Sequence, residues 1–196
     1  MTLDIYDFDK TLVPFDSGSK FTLYCFIRYP WCIIFTPVLA IGLILALLKI
    51  IDFTAFKKIC FLYVTLIPLK KAVGRFWDKY EKCVFPWFKQ RDKYSVIISA
   101  SPDFLIEEIS KRLEADKLIC TRHNPKTGAI VGENCRYTEK VRRFYEEFDK
   151  NEVTVCDVYS DSLEHDEPIF SLATGRCYHI VNGKKIPFDY FEEYKK

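Results

Sequence analysis

The chain has 196 residues, 49% of them hydrophobic and 29% charged, with 29 Lys and Arg set against 27 Asp and Glu. That length and apolar content suit one ordinary domain with room for an inserted subdomain, and exclude a disordered chain. The near-balanced charge excludes a dedicated nucleic-acid binder, and seven Gly and nine Pro exclude collagenous or Gly/Ser-linker architectures.

In chain order, Thr2 to Asp7 reads as a short strand that delivers acidic residues at its carboxyl end. From about Pro14 to Arg91 the pattern changes to successive helices, which predicts a core of residues 1–13 and 92–196 and an inserted helical cap of 14–91. Tyr94 to Ser99 is a second strand, followed by a helix over Pro102 to Ile109 with Ser101 as its N-cap. Lys117 to Thr121 makes a third strand, and Asn124-Pro125-Lys126-Thr127-Gly128 is a turn signal for a small hairpin within Ile119 to Tyr137. Thr138 caps a helix through Phe148, with Val141, Phe144, Tyr145 and Phe148 on one face. Val153 to Ser160 and Cys177 to Val181 complete the strands. Strands alternating with amphipathic helices predict an open, mainly parallel α/β sheet flanked by helices, interrupted by an all-helical cap.

Eight cysteines occur singly, without CxxC pairs or His at zinc-finger spacing, and are expected to be reduced thiols in a cytosolic domain. Asp4, Asp7, Asp9 and Asp16 crowd the region a signal peptide would need, so no cleavable leader is expected.

Four clusters carry candidate chemistry. Asp7-Phe8-Asp9-Lys10-Thr11 places two acids two residues apart, where they repel unless a cation or a shared proton lies between them; a turn or cap role is the alternative. Ser99-Ala100-Ser101-Pro102 sets a hydroxyl at a strand end beside a helix N-terminus, a natural phosphate site or else a plain cap. Lys140 in a first helical turn opposes the helix dipole unless an anion is near; otherwise it is a solvated surface Lys. Asp161 follows an apolar strand, with Asp166 five residues on. All four end strands or open helices in one α/β alternation, which places them around the crevice beyond the carboxyl ends of the strands.

In this order the clusters resemble the motifs of the haloacid dehalogenase (HAD) superfamily of phosphatases, over almost the whole chain. The resemblance implies a Rossmann-like core with a helical C1-type cap between the first and second motifs. It implies Mg²⁺ as cofactor and phosphomonoester hydrolysis through an aspartyl-phosphate. By it Asp7 is the nucleophile, Asp9 the general acid and base, and Lys140 the charge-stabilising lysine. Thr11, Ser99 and Ala100 would bind the substrate phosphate, and Asp7, Asp9, Asp161 and Asp166 would hold the metal, Asp9 through its carbonyl. Lys10 stands where many relatives have Gly. The last motif carries one extra residue: aligning from Pro168 selects Asp166, and counting from Asp161 selects His165. Asp166 is preferred because a hard cation favours a carboxylate over imidazole, which leaves His165 on the surface.

One local anomaly bears on the substrate. Tyr29 to Leu48 is an uncharged run of twenty residues, which as a helix spans roughly 30 Å, the thickness of a bilayer's hydrocarbon core. A single crossing would put Asp7 and Asp9 on the opposite side from Ser99, Lys140 and Asp161. The chain must therefore return, and Ile59 to Leu69 offers a second arm. This predicts a re-entrant or interfacial hairpin, broken at Pro37 and Gly42, unless the run is simply the core of a soluble cap. Lys49, Lys57, Lys58, Lys70, Lys71, Arg75 and Lys79 flank it, with Trp31 and Trp77 as interfacial anchors. Within the superfamily such an arrangement is similar to the phosphatidylglycerophosphatase C group, which implies a phospholipid substrate at the cytoplasmic face of the membrane. The phosphoserine phosphatase group, cytoplasmic and acting on a small phosphomonoester, is the alternative.

Overall fold

The computed structural model describes residues 1–51 and 53–194, and the side chains of Phe53, Thr54, Lys57 and Lys58 lie outside the described residues. The expectations placed on Lys57 and Lys58 therefore fall outside it. Among the described residues six strands form one sheet: β1 (Thr2–Tyr6), β2 (Tyr94–Pro102), β3 (Lys117–Thr121), β4 (Thr154–Ser160), β5 (Cys177–Val181) and β6 (Lys184–Phe188). Their spatial order is β3-β2-β1-β4-β5-β6, parallel throughout except for the antiparallel β5–β6 edge. β1 lies between β2 and β4, so the loop that follows it opens at the middle of the sheet's carboxyl edge.

Alternation along β1 divides the core between the two faces. Leu3 and Ile5 join Val96, Ile98, Phe144, Val158 and Phe170 on one face. Tyr6 joins Phe8, Phe21, Phe76, Trp77, Phe88 and Leu105 on the other, where the helical segment covers the sheet. Tyr6, Tyr159 and Tyr178 stack across β1, β4 and β5 with ring centroids 4.6 Å apart in each pair. The buried Asp4 on β1 is accommodated because its carboxylate accepts the Asp157 N–H at 3.0 Å and lies 3.6 Å from Lys93.

Between β1 and β2 the described elements are all helical: α1 (Ser17–Arg28), α2 (Thr36–Leu47), α3 (Phe53–Cys60) and α4 (Leu69–Tyr80), joined by short 3₁₀ turns. Asp16 caps α1 by accepting the Ser19 N–H at 2.7 Å. The apolar run divides into a 3₁₀ turn over Pro30–Phe35 and the continuous helix α2, on which only Gly42 is buried. Gly42 is not the break expected of it, and Pro37 simply occupies the first turn. A Cβ at Gly42 would lie 2.6 Å from the Ile59 side chain, so this glycine lets α3 pack tightly on α2. The second arm also departs from expectation. Within Ile59 to Leu69, Tyr63, Val64 and Ile67 are buried in the core. Trp77 is fully buried with its indole N–H donating to the Leu105 carbonyl at 2.7 Å, so it is no interfacial anchor, whereas Trp31 is exposed.

The remaining helices are α5 (Asp103–Arg112), α6 (Thr138–Glu147), α7 (Glu167–Phe170) and α8 (Tyr190–Tyr194). Ser101 is not the cap of α5, because β2 continues through Pro102 and releases the Ser101 side chain to another task. The expected hairpin is reduced to a turn closed by one bridge, His123 to Ile130, with Gly128 at φ 71° beside the Phe61 carbonyl. β6 was not foreseen, although Asn182-Gly183, at φ 50° and 79°, is the turn signal that forms it. All eight cysteines are free thiols.

Candidate active site

The site is built on the turn after β1. The Phe8 carbonyl receives the Thr11, Leu12 and Val13 N–H groups, which folds the chain back sharply and forces Lys10 to φ 56°. This left-handed conformation favours Gly, so Lys10 is held there at some strain. Asp7 is anchored by its own N–H to the Tyr159 carbonyl at 2.9 Å. Its carboxylate accepts from Thr11 Oγ1 at 3.1 Å and from Lys140 Nζ at 2.7 Å. Thr11 in turn accepts the Asp161 N–H at 2.9 Å, which ties the β1 turn to the end of β4.

Lys140 enters from the first turn of α6 and is buried. Its ammonium bridges Asp7 and Asp166, 2.7 Å from each. Burial alone would lower its pKa, but the two carboxylates more than reverse this and hold it protonated, above the ordinary lysine range. Asp166 also accepts from Ser160 Oγ at 2.5 Å, so each of its oxygens is engaged. Asp9 faces the other way. It accepts the Ser17 N–H at 2.8 Å and the Ser101 hydroxyl, while Ser17 Oγ donates to Ser101 Oγ at 3.2 Å. Burial, reinforced by Asp16, pushes its pKa up to about 6 against the opposition of these hydrogen bonds.

Asp7, Asp9, Ser99, Ala100, Lys140, Asp161 and Asp166 all line one crevice of about 400 Å³. Thr11 lies beneath it, bonded to Asp7. Ser99 is buried and its Oγ accepts the Ser101 N–H at 3.1 Å. Burial raises the pKa of Asp7, with Lys140 opposing and Asp166 and Asp161 adding to the rise. Burial and Asp166 likewise raise Asp161 against Lys10 and Lys140. The crevice thus holds more carboxylate than its cations offset. Two all-oxygen donors, Asp7 and Asp161, whose ionisation requires added positive charge, fit a hard divalent cation.

Besides His165, five lining residues stand outside the set expected from the sequence: Lys10, Asp16, Ser101, Arg136 and Ser162. Ser101 serves Asp9, Asp16 stands at the crevice rim, and Lys10 and Arg136 contribute cations. For Arg136 no motif gave a signal. His165 is not a surface residue as expected: it is half-buried in the crevice wall, its Nδ1 2.8 Å from Ser162 Oγ and its ring edge-on to Tyr137. A second acidic group, Asp4 and Asp157 with Cys156, lies away from this crevice and is met by Lys93.

A family model for haloacid dehalogenase-like hydrolases matches residues 5–170, and the chain belongs to that family of hydrolases. Protein CicA of Caulobacter vibrioides is 34% identical over 94 residues, which are 45% of this chain and 41% of that protein. The chain thus matches less than half the length of this curated relative. Among solved structures, a protein of unknown function from Bordetella pertussis Tohama I shares the fold at TM-score 0.75 and 17% identity, covering 91% of this chain and 89% of its own. A phosphoserine phosphohydrolase-like protein from Francisella tularensis aligns at TM-score 0.51 and 16% identity, over 80% and 78% of the two chains.

Proposed function

We propose that the protein is a phosphomonoester hydrolase working through an aspartyl-phosphate on Asp7, and that it removes the terminal phosphate of phosphatidylglycerophosphate, leaving phosphatidylglycerol, at the cytoplasmic face of the membrane. The observation that carries the reaction is the Asp7–Lys140–Asp166 bridge beside the separately housed Asp9. One Asp7 carboxylate oxygen attacks phosphorus as the ester P–O bond breaks, and Asp9, protonated, gives its proton to the leaving alkoxide. Asp9, now ionised, takes a proton from the water that cleaves the acyl phosphate, which frees inorganic phosphate and restores Asp7. Lys140, with Ser99 and amides near Ala100, offsets charge on the transferring oxygens, while Thr11, whose hydroxyl donates to Asp7, orients the nucleophile rather than the phosphate. Asp166 holds Lys140 in place.

Mg²⁺ held by Asp7, Asp161 and the Asp9 carbonyl would supply the charge that keeps Asp7 ionised and lets it approach a phosphate dianion. Asp166 joins this group through its bond to Lys140, with Ser160 fixing its other oxygen.

The lipid substrate rests on α2 and the turn before it, where Ile33, Ile34, Val38, Ile41, Leu43, Ile44, Leu47 and Leu48 are exposed. Pro30–Leu47 is long and apolar enough to cross a membrane, with mean hydropathy 2.3. Exposed apolar surface of this extent marks a site of interaction. The second candidate, a small phosphomonoester such as phosphoserine with a cytoplasmic enzyme, is favoured by the charged and hydroxyl residues that line the crevice, Ala100 being the one apolar residue among its described lining. Assay of membrane and soluble fractions against phosphatidylglycerophosphate in mixed micelles and phosphoserine, with Mg²⁺ and with a chelator, separates them. Turnover of neither substrate, or chelator-independent turnover, overturns the proposal.

A further inference from the structure

Away from the leaving-group side of Asp9, a groove of about 670 Å³ runs along the outer face of the helical segment between α1 and α4. Asp16 lines both this groove and the catalytic crevice, so the two meet at the N-terminus of α1. The groove combines two features that rarely share a surface. Leu23 and Ile27, one turn apart on α1, are 62% and 74% exposed, and their line continues toward the exposed Trp31 and the apolar helix α2. Cations stand among them. Lys20 lies over the Phe15 and Tyr80 rings at 4.3 and 4.8 Å, and Lys79 over Tyr80 at 5.2 Å, with Arg28 at the far end. Aromatic faces hold these ammonium groups without neutralising them. The neighbouring acid on α4, Asp78, is taken by Arg112 at 3.0 Å, and Asp16 is the one carboxylate among the groove's described lining residues.

We propose that this groove is a binding site for the headgroup of an anionic phospholipid in a bilayer, separate from the substrate, which seats the crevice mouth against the membrane. The proposal rests on the lipid-phosphatase reading for its purpose, though not for its binding chemistry. Charge decides between a bilayer and a second copy of the chain. Residues 14–91 carry twelve Lys and Arg against four Asp and Glu, whereas the rest of the chain carries 17 against 23. Two such faces would repel one another, but an anionic bilayer attracts one and also accepts its apolar side chains.

The test is flotation of the full chain with vesicles of phosphatidylglycerol and phosphatidylcholine mixed, or of phosphatidylcholine alone. The variants are Lys20→Gln with Lys79→Gln, and Leu23→Gln with Ile27→Gln, all at exposed or half-exposed positions. Loss of two cations is expected to weaken binding to the anionic vesicles about 30-fold and to leave binding to phosphatidylcholine unchanged. The apolar pair should weaken both. Hydrolysis of a water-soluble monoester, p-nitrophenyl phosphate, should match wild type in every variant, while KM for vesicle-borne lipid substrate rises at constant kcat. If the charge pair binds anionic vesicles as wild type does, the proposal falls. It also falls if KM rises equally for a monomeric short-chain lipid phosphate, which would make the groove a substrate subsite, or if sedimentation without vesicles shows a dimer that the apolar pair dissolves. An enzyme inert toward every monoester that still floats with anionic vesicles would refute the phosphatase reading and leave the groove's assignment standing.

Discussion

Asp9→Asn should slow turnover severely and yet stabilise the metal-free protein. Burial and Asp16 raise the Asp9 pKa from 3.8 to about 6 in the folded chain. A carboxyl whose folded pKa exceeds its unfolded one contributes stability that is present below about pH 4 and lost as pH rises through 6. Two units correspond to about 3 kcal/mol. The crevice admits water on one side of Asp9, so roughly half of that, about 1–2 kcal/mol, is the realistic cost at neutral pH. Asn keeps the acceptor for the Ser17 N–H and presents an amide in place of the charge that Ser101 now serves. Urea denaturation of both proteins with a chelator, from pH 4 to pH 7, measures the difference directly. The variant's advantage should grow by about 1 kcal/mol across that window, while kcat falls by 10²–10⁴, the scale of general acid catalysis. A stability gap independent of pH, or a variant less stable at pH 7 than at pH 4 relative to wild type, would refute the assignment of Asp9 as a buried acid held near its working pKa.

Lys140→Met leaves Asp7 and Asp166 facing each other without their shared cation, and should cost about 3–5 kcal/mol in chelated urea melts besides ending turnover; a loss below 1 kcal/mol would mean the bridge is not buried as described. Ser101→Ala removes a hydrogen bond to the ionised form of Asp9, so the limb of the pH–rate profile that reports Asp9 should move to higher pH, and an unmoved limb would detach Ser101 from the acid. Arg136→Gln takes one cation from the crevice wall and should raise KM about tenfold with little change in kcat, read from steady-state kinetics on any accepted monoester. Gly128→Ala would put a Cβ 2.0 Å from the Phe61 carbonyl at φ 71°, and should destabilise the protein by about 1–3 kcal/mol in thermal melts.

The gathering of the candidate site residues around one crevice was legible because the signals for it are local. Asp7 and Asp9 sit two apart on one turn, Ser99 lies near the carboxyl end of β2 and Lys140 in the first turn of α6, and parallel-sheet topology gathers such ends without any further information. What resisted reading depends on contacts across long sequence gaps. Ser101 looks like a helix cap until β2 is seen to run three residues further, through Pro102, and turn the Ser101 hydroxyl toward Asp9, 92 positions away. Ligand preference alone puts His165 on the surface, because it carries no information on the Tyr137 ring and Ser162 hydroxyl that seat the imidazole in the crevice wall. Hydropathy, too, treats Tyr29–Leu48 and Ile59–Leu69 alike, although the first leaves most of its side chains exposed and the second sends Tyr63, Val64 and Ile67 into the core. The difference has a physical source. Gly42 lets α3 pack closely against one strip of α2, and most of the helix's other apolar side chains are exposed, so packing among the described residues does not account for them. The bilayer proposed above would cover that surface, and the cations beside Leu23 and Ile27 would favour an anionic one.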